Sequence, residues 1–103
     1  MPIRFTWSEP KRRTNLRKHG IDFRDAERVF AGRTVQYEDT RFDYGETRFV
    51  TLGLLGFQPI TLVHTQTHEE IRIISFRKAQ RHEAAYYFET VLDGLAPNPG
   101  TEG

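Results

Sequence analysis

The chain has 103 residues, 37% of them hydrophobic and 28% charged, with a formal net charge of +1 at pH 7 and no cysteine. This length fits one domain with a modest core, and the lack of cysteine excludes disulfides, thiol catalysis and cysteine-bound zinc or iron. No apolar run reaches the ~18 residues of a membrane span, and the start PIRFTW lacks a signal-peptide core, so we expect no membrane contact and a cytoplasmic location.

The small net charge hides an uneven distribution of charge along the chain. Residues 1–33 carry nine Lys and Arg against four Asp and Glu, and residues 71–82 carry four basic residues and no acidic one. Residues 34–70 and residues 83–103 each have a net charge of −4. Twelve of the fifteen basic residues are Arg, whose planar fork binds phosphate through two hydrogen bonds and stacks on bases. If the fold joins the two basic segments, their face favours a polyanionic partner. A bias toward arginine codons is the alternative explanation.

Two helices are predicted in the first third of the chain. The first begins at Ser8, a suitable N-cap, and runs to residues 18–19, where Gly20 ends it. A second, short helix begins after Asp22 and ends before Gly32. Its apolar side chains recur at helical spacing: Phe23, Ala26, Val29 and Phe30.

The period of the apolar pattern changes to two after the second helix. Strands are predicted over residues 34–37, 48–53, 59–65 and 70–76, and the last is the strongest because it is rich in β-branched residues. Turns of hairpin length separate the last three strands, so we expect an antiparallel meander.

A third helix is predicted from Lys78 to about Leu92, ended by Gly94 and the prolines that follow it. The expected fold class is therefore α+β in the order ααββββα. Two N-terminal helices and one C-terminal helix pack on a small antiparallel sheet of about four strands. We expect a single domain over residues 1–95 and a disordered tail over residues 96–103.

Lys18 and His19 lie at the predicted end of the first helix. The negative end of a helix favours a cationic imidazole, which would raise the pKa of His19 and let it act as an acid or a base. Simple charge complementation at the helix end is the alternative interpretation.

The exit of the last strand gathers residues suited to binding phosphate: Arg72, Ser75, Arg77 and Lys78. Strict alternation puts Phe76 on the face of Arg72, and it puts Ser75 and Arg77 together on the opposite face with Ile73. With the backbone N–H groups of the helix start, these residues could hold the phosphate of an RNA cleavage reaction. In the alternative interpretation Ser75 caps the helix and the two cations are surface charges.

Glu46 and Arg48 lie in a charged turn before a strand. Glu46 could act as a base on a ribose 2′-OH, and the alternative is an exposed salt bridge between Glu46 and Arg48.

His64 and His68 have the spacing of a zinc-binding helix, but they lie on a strand and its turn, where the rings do not converge, so no metal site is predicted. Tyr86 and Tyr87 are typical of core or interface aromatics, although a tyrosine near a basic cleft could stack on a base or move a proton.

Three segments together resemble one protein family in order and spacing. They are FTWSEPKRRTNLRKHGIDFRDAERVF, DTRFDYGETRFVTLG and EIRIISFRKAQRHEAAYY, over about residues 5–87. This sequence resembles the BrnT family of toxins of type II toxin–antitoxin systems. The combination of K-H-G, G-E-x-R and R-I-I-S-x-R-K-A carries the resemblance, since each motif alone would be weak.

The resemblance implies a fold, an activity and partners. The fold would be RelE-like, and the activity that of a small bacterial ribonuclease that inhibits translation by cutting RNA and needs no metal or other cofactor. The partners would be RNA and a BrnA-like ribbon-helix-helix antitoxin, and the toxin–antitoxin complex would bind operator DNA and repress its own operon. A catalytically inactive relative that only binds antitoxin or nucleic acid is the alternative.

The family motifs also assign site residues, by position, to this chain. We expect the catalytic residues to be His19, Glu46, Arg72 and Arg77. We expect the RNA-binding residues to be Lys18, Arg48, Ser75 and Lys78. A base among His19 and Glu46 would activate the 2′-OH, and the arginines would stabilise the phosphorane. Two positions depart from the family pattern. Thr67 replaces an arginine, which would weaken the RNA contact or transfer it to His64, and Phe76 replaces a small residue.

Overall fold

A computed structural model describes residues 2–95, and the tail predicted over residues 96–103 lies outside the described residues. These residues form an α+β fold, with three α-helices and a five-stranded mixed sheet in the order β1-β5-β4-β3-β2. The strands are β1 Arg4–Trp7, β2 Val35–Asp39, β3 Arg48–Leu55, β4 Gln58–Gln66 and β5 Glu70–Lys78. The helices are α1 Glu9–His19, α2 Ala26–Phe30, preceded by a 3₁₀ turn at Phe23–Asp25, and α3 Arg81–Leu95. None of the helices in residues 2–95 is long and apolar enough to cross a membrane.

Helix α1 begins and ends where its caps indicate. The Ser8 hydroxyl accepts a hydrogen bond from the Lys11 N–H at 3.4 Å, and Gly20 adopts a left-handed φ of 71° that closes the helix. A β-carbon is unfavourable at this φ, which is why glycine suits the position. Asp22 caps the next element by accepting from the Arg24 N–H at 3.0 Å, but that element starts as a 3₁₀ turn and continues for only five helical residues.

The predicted order ααββββα is wrong at its start, because a fifth strand precedes α1. Strand β1 runs parallel to β5, with Phe5 opposite Ile71 and Trp7 opposite Ile73. Only four residues long, it shows too little alternation to be recognised in the sequence. Its partner is also distant along the chain, so no local turn announces the pairing. The sheet is therefore mixed and not purely antiparallel.

A β-bulge in β5 overturns the predicted division of its side chains. Ser75 pairs with Val63 and Ile73 with His64, which leaves Ile74 as the extra residue. The bulge shifts the alternation by one, so Phe76 joins Ile73 in the core, and Arg72, Ser75 and Arg77 share the other face. Strand β5 also continues through Lys78, so α3 begins three residues later than predicted.

The sheet carries one apolar cluster on each face. Helices α1 and α2 flank the larger cluster, which contains Ile21, Phe23, Ala26, Val29, Ile60, Leu62, Ile71, Ile73 and Phe76. Helix α3 covers the smaller cluster over β2, β3 and β4, where Tyr87 packs with Val50 and Leu52. His64 is fully buried on the α2 side, where it bonds the Thr51 hydroxyl at 2.7 Å. The expectation that His64 takes over an RNA contact is therefore wrong.

Asn15 attaches α1 to the free edge of β5. Strand β1 pairs only with residues 70–73, so the backbone of Phe76 lacks a strand partner on that side. The Asn15 amide takes the place of a neighbouring strand. Its Nδ2 donates to the Phe76 carbonyl at 2.7 Å, and its Oδ1 accepts from the Phe76 N–H at 3.2 Å. It also donates to the Ile21 carbonyl at 3.1 Å. His19 lies one turn further along the same side of α1, and so reaches β5 near Ser75.

Candidate functional site

Strand β5 presents a row of polar side chains on the face that α3 covers only in part. Arg72, Ser75 and Arg77 follow one another along this face, and successive residues of such a row lie about 7 Å apart. The Arg72 side chain is 44% exposed, whereas that of Arg77 is 26% exposed. The row therefore runs from an open end to a partly covered one.

Arg77 is held by a buried carboxylate from α3. Its Nη1 and Nη2 donate to the two oxygens of Glu83 at 2.7 and 2.9 Å, and Glu83 is only 8% exposed. Glu83 also accepts from the Thr61 hydroxyl at 3.0 Å and from the Gln80 N–H at 2.8 Å. Burial opposes ionisation of Glu83, but the bonds from Arg77 and Gln80 outweigh it and lower its pKa to about 2.

The pair leaves one side of the Arg77 guanidinium available. Arg has five N–H donors. Two of them bind Glu83, and a third, on Nη1, reaches the Lys78 carbonyl at 3.3 Å. Within residues 2–95 the Nε–H and the second Nη2 hydrogen have no hydrogen-bond acceptor, and these two donors form a side-on fork of the kind that binds phosphate.

Arg72 converges with Arg48 on Glu46. One oxygen of Glu46 accepts from Arg72 Nη2 at 2.7 Å and from Arg48 Nε at 3.2 Å. The Arg48 guanidinium also lies 4.1 Å from the centre of the Tyr44 ring. The hydrogen bond from Arg72, followed by that from Arg48, lowers the pKa of Glu46. A carboxylate stabilised in this way accepts a proton poorly, which argues against the expected role of Glu46 as a base.

The loop between β2 and β3 is tied down by Asp39, which sequence reasoning missed. Asp39 is 6% exposed and accepts from Arg41 Nε and Nη2, both at 2.9 Å, and from the Tyr44 hydroxyl at 3.1 Å. The bonds from Arg41 lower the pKa of Asp39 to about 2, against the effect of burial. Asp39 thereby supports Tyr44, on which Arg48 stacks.

His19, Lys18 and Ser75 share a groove between α1 and β5. This groove has a volume of about 420 Å³ and is also lined by Lys11 and Asn15. Burial lowers the pKa of His19, and the charges of Lys18 and Arg77 lower it further. The expected upward shift is wrong, because burial of the imidazole and the two nearby cations lower its pKa. This shift favours the neutral imidazole, which can accept a proton.

Lys78 is separated from Arg72, Ser75 and Arg77. It ends β5 opposite Ile60, a residue of the core cluster on the α1 side, so it lies on the opposite face from Arg77. It does not belong to the first turn of a helix, because α3 begins at Arg81, and Ser75 is a strand residue and not a helix cap. The predicted grouping of Lys78 with Arg77 is thus wrong.

Glu83 is the most consequential site residue that the sequence did not reveal. It lies three residues after Gln80 at the start of α3, which is the acidic position of a capping box. The signal was present, but the predicted helix start at Lys78 concealed it. Among residues 2–95, no group of three His, Cys, Asp or Glu side chains is arranged to hold a metal ion.

The chain is similar to known proteins over most of its length. The model of the family described as "Ribonuclease toxin, BrnT, of type II toxin-antitoxin system" matches residues 7–83. The chain is also similar to the protein in the 1.1 Å crystal structure of the Brucella abortus ribonuclease toxin, BrnT. The two sequences are 30% identical, the TM-score of the two structures is 0.58, and the match covers 78% of this chain and 100% of the Brucella chain. No curated protein matches the chain. All the candidate residues fall within the matched segment, and the RelE-like classification stays a prediction.

We expect the Arg77–Glu83 pair to be visible in the pH dependence of stability. The pKa of Glu83 is lowered from 4.5 to about 2 in the folded chain, so its charge stabilises the fold above about pH 4.5, and this contribution is lost as the pH falls toward 2. Between pH 4.5 and 2 the free energy of unfolding, measured with urea, should fall less for Glu83→Gln than for the unmodified chain. The difference should be up to about 3 kcal/mol.

The matched control is Glu89→Gln, on the exposed side of the same helix, which should keep the pH dependence of the unmodified chain. Parallel stability curves for Glu83→Gln and the unmodified chain between pH 2 and 4.5 would show that the pair contributes nothing.

Proposed function

The chain belongs to the BrnT family of ribonuclease toxins of type II toxin–antitoxin systems, and on that premise we propose that it cleaves RNA internally, without a metal ion, through the ribose 2′-OH. One observation carries the proposal. His19 shares a groove with Ser75, the charge of Arg77 acts on His19, and Arg72 and Arg77 lie on the same strand face as Ser75. This combination supplies a base and donors for a phosphate.

In the proposed reaction His19 takes the proton of the 2′-OH. The 2′ oxygen then forms a bond to the adjacent phosphorus as the bond from phosphorus to the 5′ oxygen breaks, and the leaving 5′ oxygen takes up a proton from water. The products are a 2′,3′-cyclic phosphate and a 5′-OH. Negative charge grows on the equatorial oxygens during the step, and the donors of Arg77 and Arg72 would stabilise it there.

The other residues would bind RNA around the reacting phosphate. Lys18 and Ser75 line the groove beside His19 and would contact the neighbouring backbone. Arg48 and Arg72 would transfer from Glu46 to an RNA phosphate, because that ion cluster is exposed enough for exchange. We assign Glu46 the role of holding these arginines in the free protein. We assign Lys78 no contact with the reacting phosphate, since it lies on the opposite face from Arg77 and does not line the groove of His19.

We further propose that the cleavage inhibits translation in the cytoplasm and that a BrnA-like ribbon-helix-helix antitoxin neutralises it. Family membership implies an antitoxin and an RNA target. The ribbon-helix-helix class of the antitoxin, and repression of the operon by the complex, follow from the resemblance of the sequence. Operator DNA would then be bound through the antitoxin.

A second candidate is a binding module that does not cleave RNA. Its support is that each arginine of the site has a carboxylate partner: Arg48 and Arg72 have Glu46, and Arg77 has Glu83. Such pairing lowers the positive charge available to a phosphate. The two candidates differ in whether RNA that is bound is also cut.

We expect the purified chain, free of antitoxin, to cleave single-stranded RNA in excess EDTA. The products should carry 2′,3′-cyclic phosphate and 5′-OH ends, detectable by end-specific ligation and mass spectrometry. RNA with 2′-deoxy residues should resist cleavage because it lacks the nucleophile. Loss of cleavage on chelation and its return with Zn²⁺ or Mg²⁺ would refute the metal-free mechanism, and binding of intact RNA without cleavage would favour the binding module.

We expect Arg77→Lys to lower the cleavage rate by roughly 10- to 1000-fold, in the range seen when one preorganised donor to a transition state is lost. Lysine keeps the charge but has no side-on fork. RNA affinity, measured by anisotropy with 2′-deoxy RNA, should change much less because it is mostly electrostatic. The control is Arg33→Lys, on an exposed loop outside the site. Equal rates for Arg77→Lys and the unmodified chain would remove Arg77 from the reaction.

We expect the antitoxin to cover the face of Arg72 and Arg77 with acidic or amphipathic side chains, because only then is the nuclease silent. Its binding should weaken as salt is raised, and it should compete with 2′-deoxy RNA in a displacement titration. A ternary complex that holds RNA and antitoxin together, and cleaves RNA at the rate of the free toxin, would exclude direct occlusion.

A further inference from the structure

A cavity of about 380 Å³ adjoins the Arg77–Glu83 pair on the face that α3 leaves partly open. We call it the β2–α3 pocket. It lies between the end of β2 and the start of α3. Its lining includes Tyr37, Arg41, Val50, Val63, Arg77 and His82. The volume is at the small end of the ~300–1,000 Å³ of ligand sites, which suits one nucleotide and not a longer segment.

The lining of the pocket combines surfaces that suit an aromatic base. Val50 and Val63 provide an apolar floor from β3 and β4. The Tyr37 ring stands at one side, 40% exposed, and it is supported by an edge contact with the Tyr86 ring at 6.2 Å. Exposed His82 borders the same cavity and a smaller adjoining hollow of about 260 Å³. A planar, uncharged ring would cover the valines and stack on Tyr37.

The charged groups of the pocket favour a phosphate beside that ring. Both buried carboxylates are engaged, Asp39 by Arg41 and Glu83 by Arg77, and Glu38 is exposed at the rim. Arg77 lines the cavity, and within the described residues its Nε–H and second Nη2 hydrogen have no acceptor. An apolar floor next to an unoccupied guanidinium fork fits a nucleotide better than an apolar peptide side chain, which would leave the fork without a partner.

We propose that the β2–α3 pocket is a nucleotide subsite that selects the base beside the cleaved bond. The base stacks on Tyr37 above Val50 and Val63, and the phosphate attached to it binds the side-on fork of Arg77. This subsite rests on the proposed function for its link to cleavage, but nucleotide binding in the pocket does not require the chain to be active. Tyr37 would then determine the specificity of the nuclease without taking part in the chemical step.

The test measures binding of the four ribonucleoside 3′-monophosphates by NMR, with inorganic phosphate as the reference. We expect at least one nucleotide to bind more tightly than phosphate and to shift the signals of the Tyr37 ring and the Arg77 Nε–H. Tyr37→Ala should weaken the binding of that nucleotide by roughly 5- to 150-fold, the range for loss of one stacked base. Tyr37→Phe should keep the affinity of the unmodified chain. Phosphate affinity should be the same in all variants.

Two further variants keep the result decisive. Phe57→Ala removes an aromatic ring that is 99% exposed in the turn between β3 and β4, and it should leave nucleotide binding unchanged. Tyr86→Ala removes the support of Tyr37 from the outer side of α3 and should weaken binding in the same direction as Tyr37→Ala. It provides the answer if Tyr37→Ala does not fold.

Cleavage of a randomised RNA library supplies the functional readout. Tyr37→Ala should flatten the base preference beside the cut, whereas Phe57→Ala should keep it. Nucleotide binding in a chain that cuts no RNA would support the subsite and reject the proposed nuclease. Nucleotides that bind no more tightly than phosphate, or an affinity that Tyr37→Ala leaves unchanged, would overturn the subsite. Loss of antitoxin binding in Tyr37→Ala, with nucleotide binding intact, would also overturn it by assigning the pocket to a protein partner.

Discussion

The ion pair between Arg77 and Glu83 is the interaction on which the rest of the site depends. Glu83 joins three elements at one carboxylate, because it accepts bonds from Arg77 on β5, from Thr61 on β4 and from the Gln80 N–H at the start of α3. Removing one member of a buried pair costs about 3–5 kcal/mol, since the other charge is left without a partner. The pair therefore sets where α3 begins over the sheet, and it also sets the orientation of the Arg77 fork.

The arginines of this face differ in how firmly they are held, and burial decides the difference. Glu83 is 8% exposed, whereas the Glu46 side chain is 33% exposed and that of Arg72 is 44% exposed. An exposed pair contributes less than about 1 kcal/mol, so Arg72 can exchange Glu46 for another anion at little cost. The same exchange at Arg77 would leave a buried carboxylate unpaired. Arg77 is accordingly suited to act with Glu83 still bound, through donors that Glu83 does not use.

The position of His19 depends on contacts that are remote in sequence. Asn15 bonds the backbone of Phe76 through both atoms of its amide, and this attachment brings the end of α1 to β5. There His19 meets partial burial and the charges of Lys18 and Arg77, which lower its pKa. The helix end alone would have raised it. The tertiary surroundings of His19 thus favour its neutral form, whereas the helix end alone would favour its charged form.

Local patterns in the sequence predicted several features of this protein. Capping residues predicted the limits of α1, alternation of apolar residues predicted the four longer strands, and motif spacing indicated the family. Each of these patterns extends over only a few residues. Ser8 and Gly20 bound α1 for reasons that need no other part of the chain. Only the tertiary structure decided the pairing of β1 with β5, the bulge at Ile74 and the partnership of Arg77 with Glu83. Each of these depends on register between segments, and a one-residue shift of register exchanges the faces of a strand. The sequence therefore predicted the candidate residues, and the register of β5 determined which of them face one another.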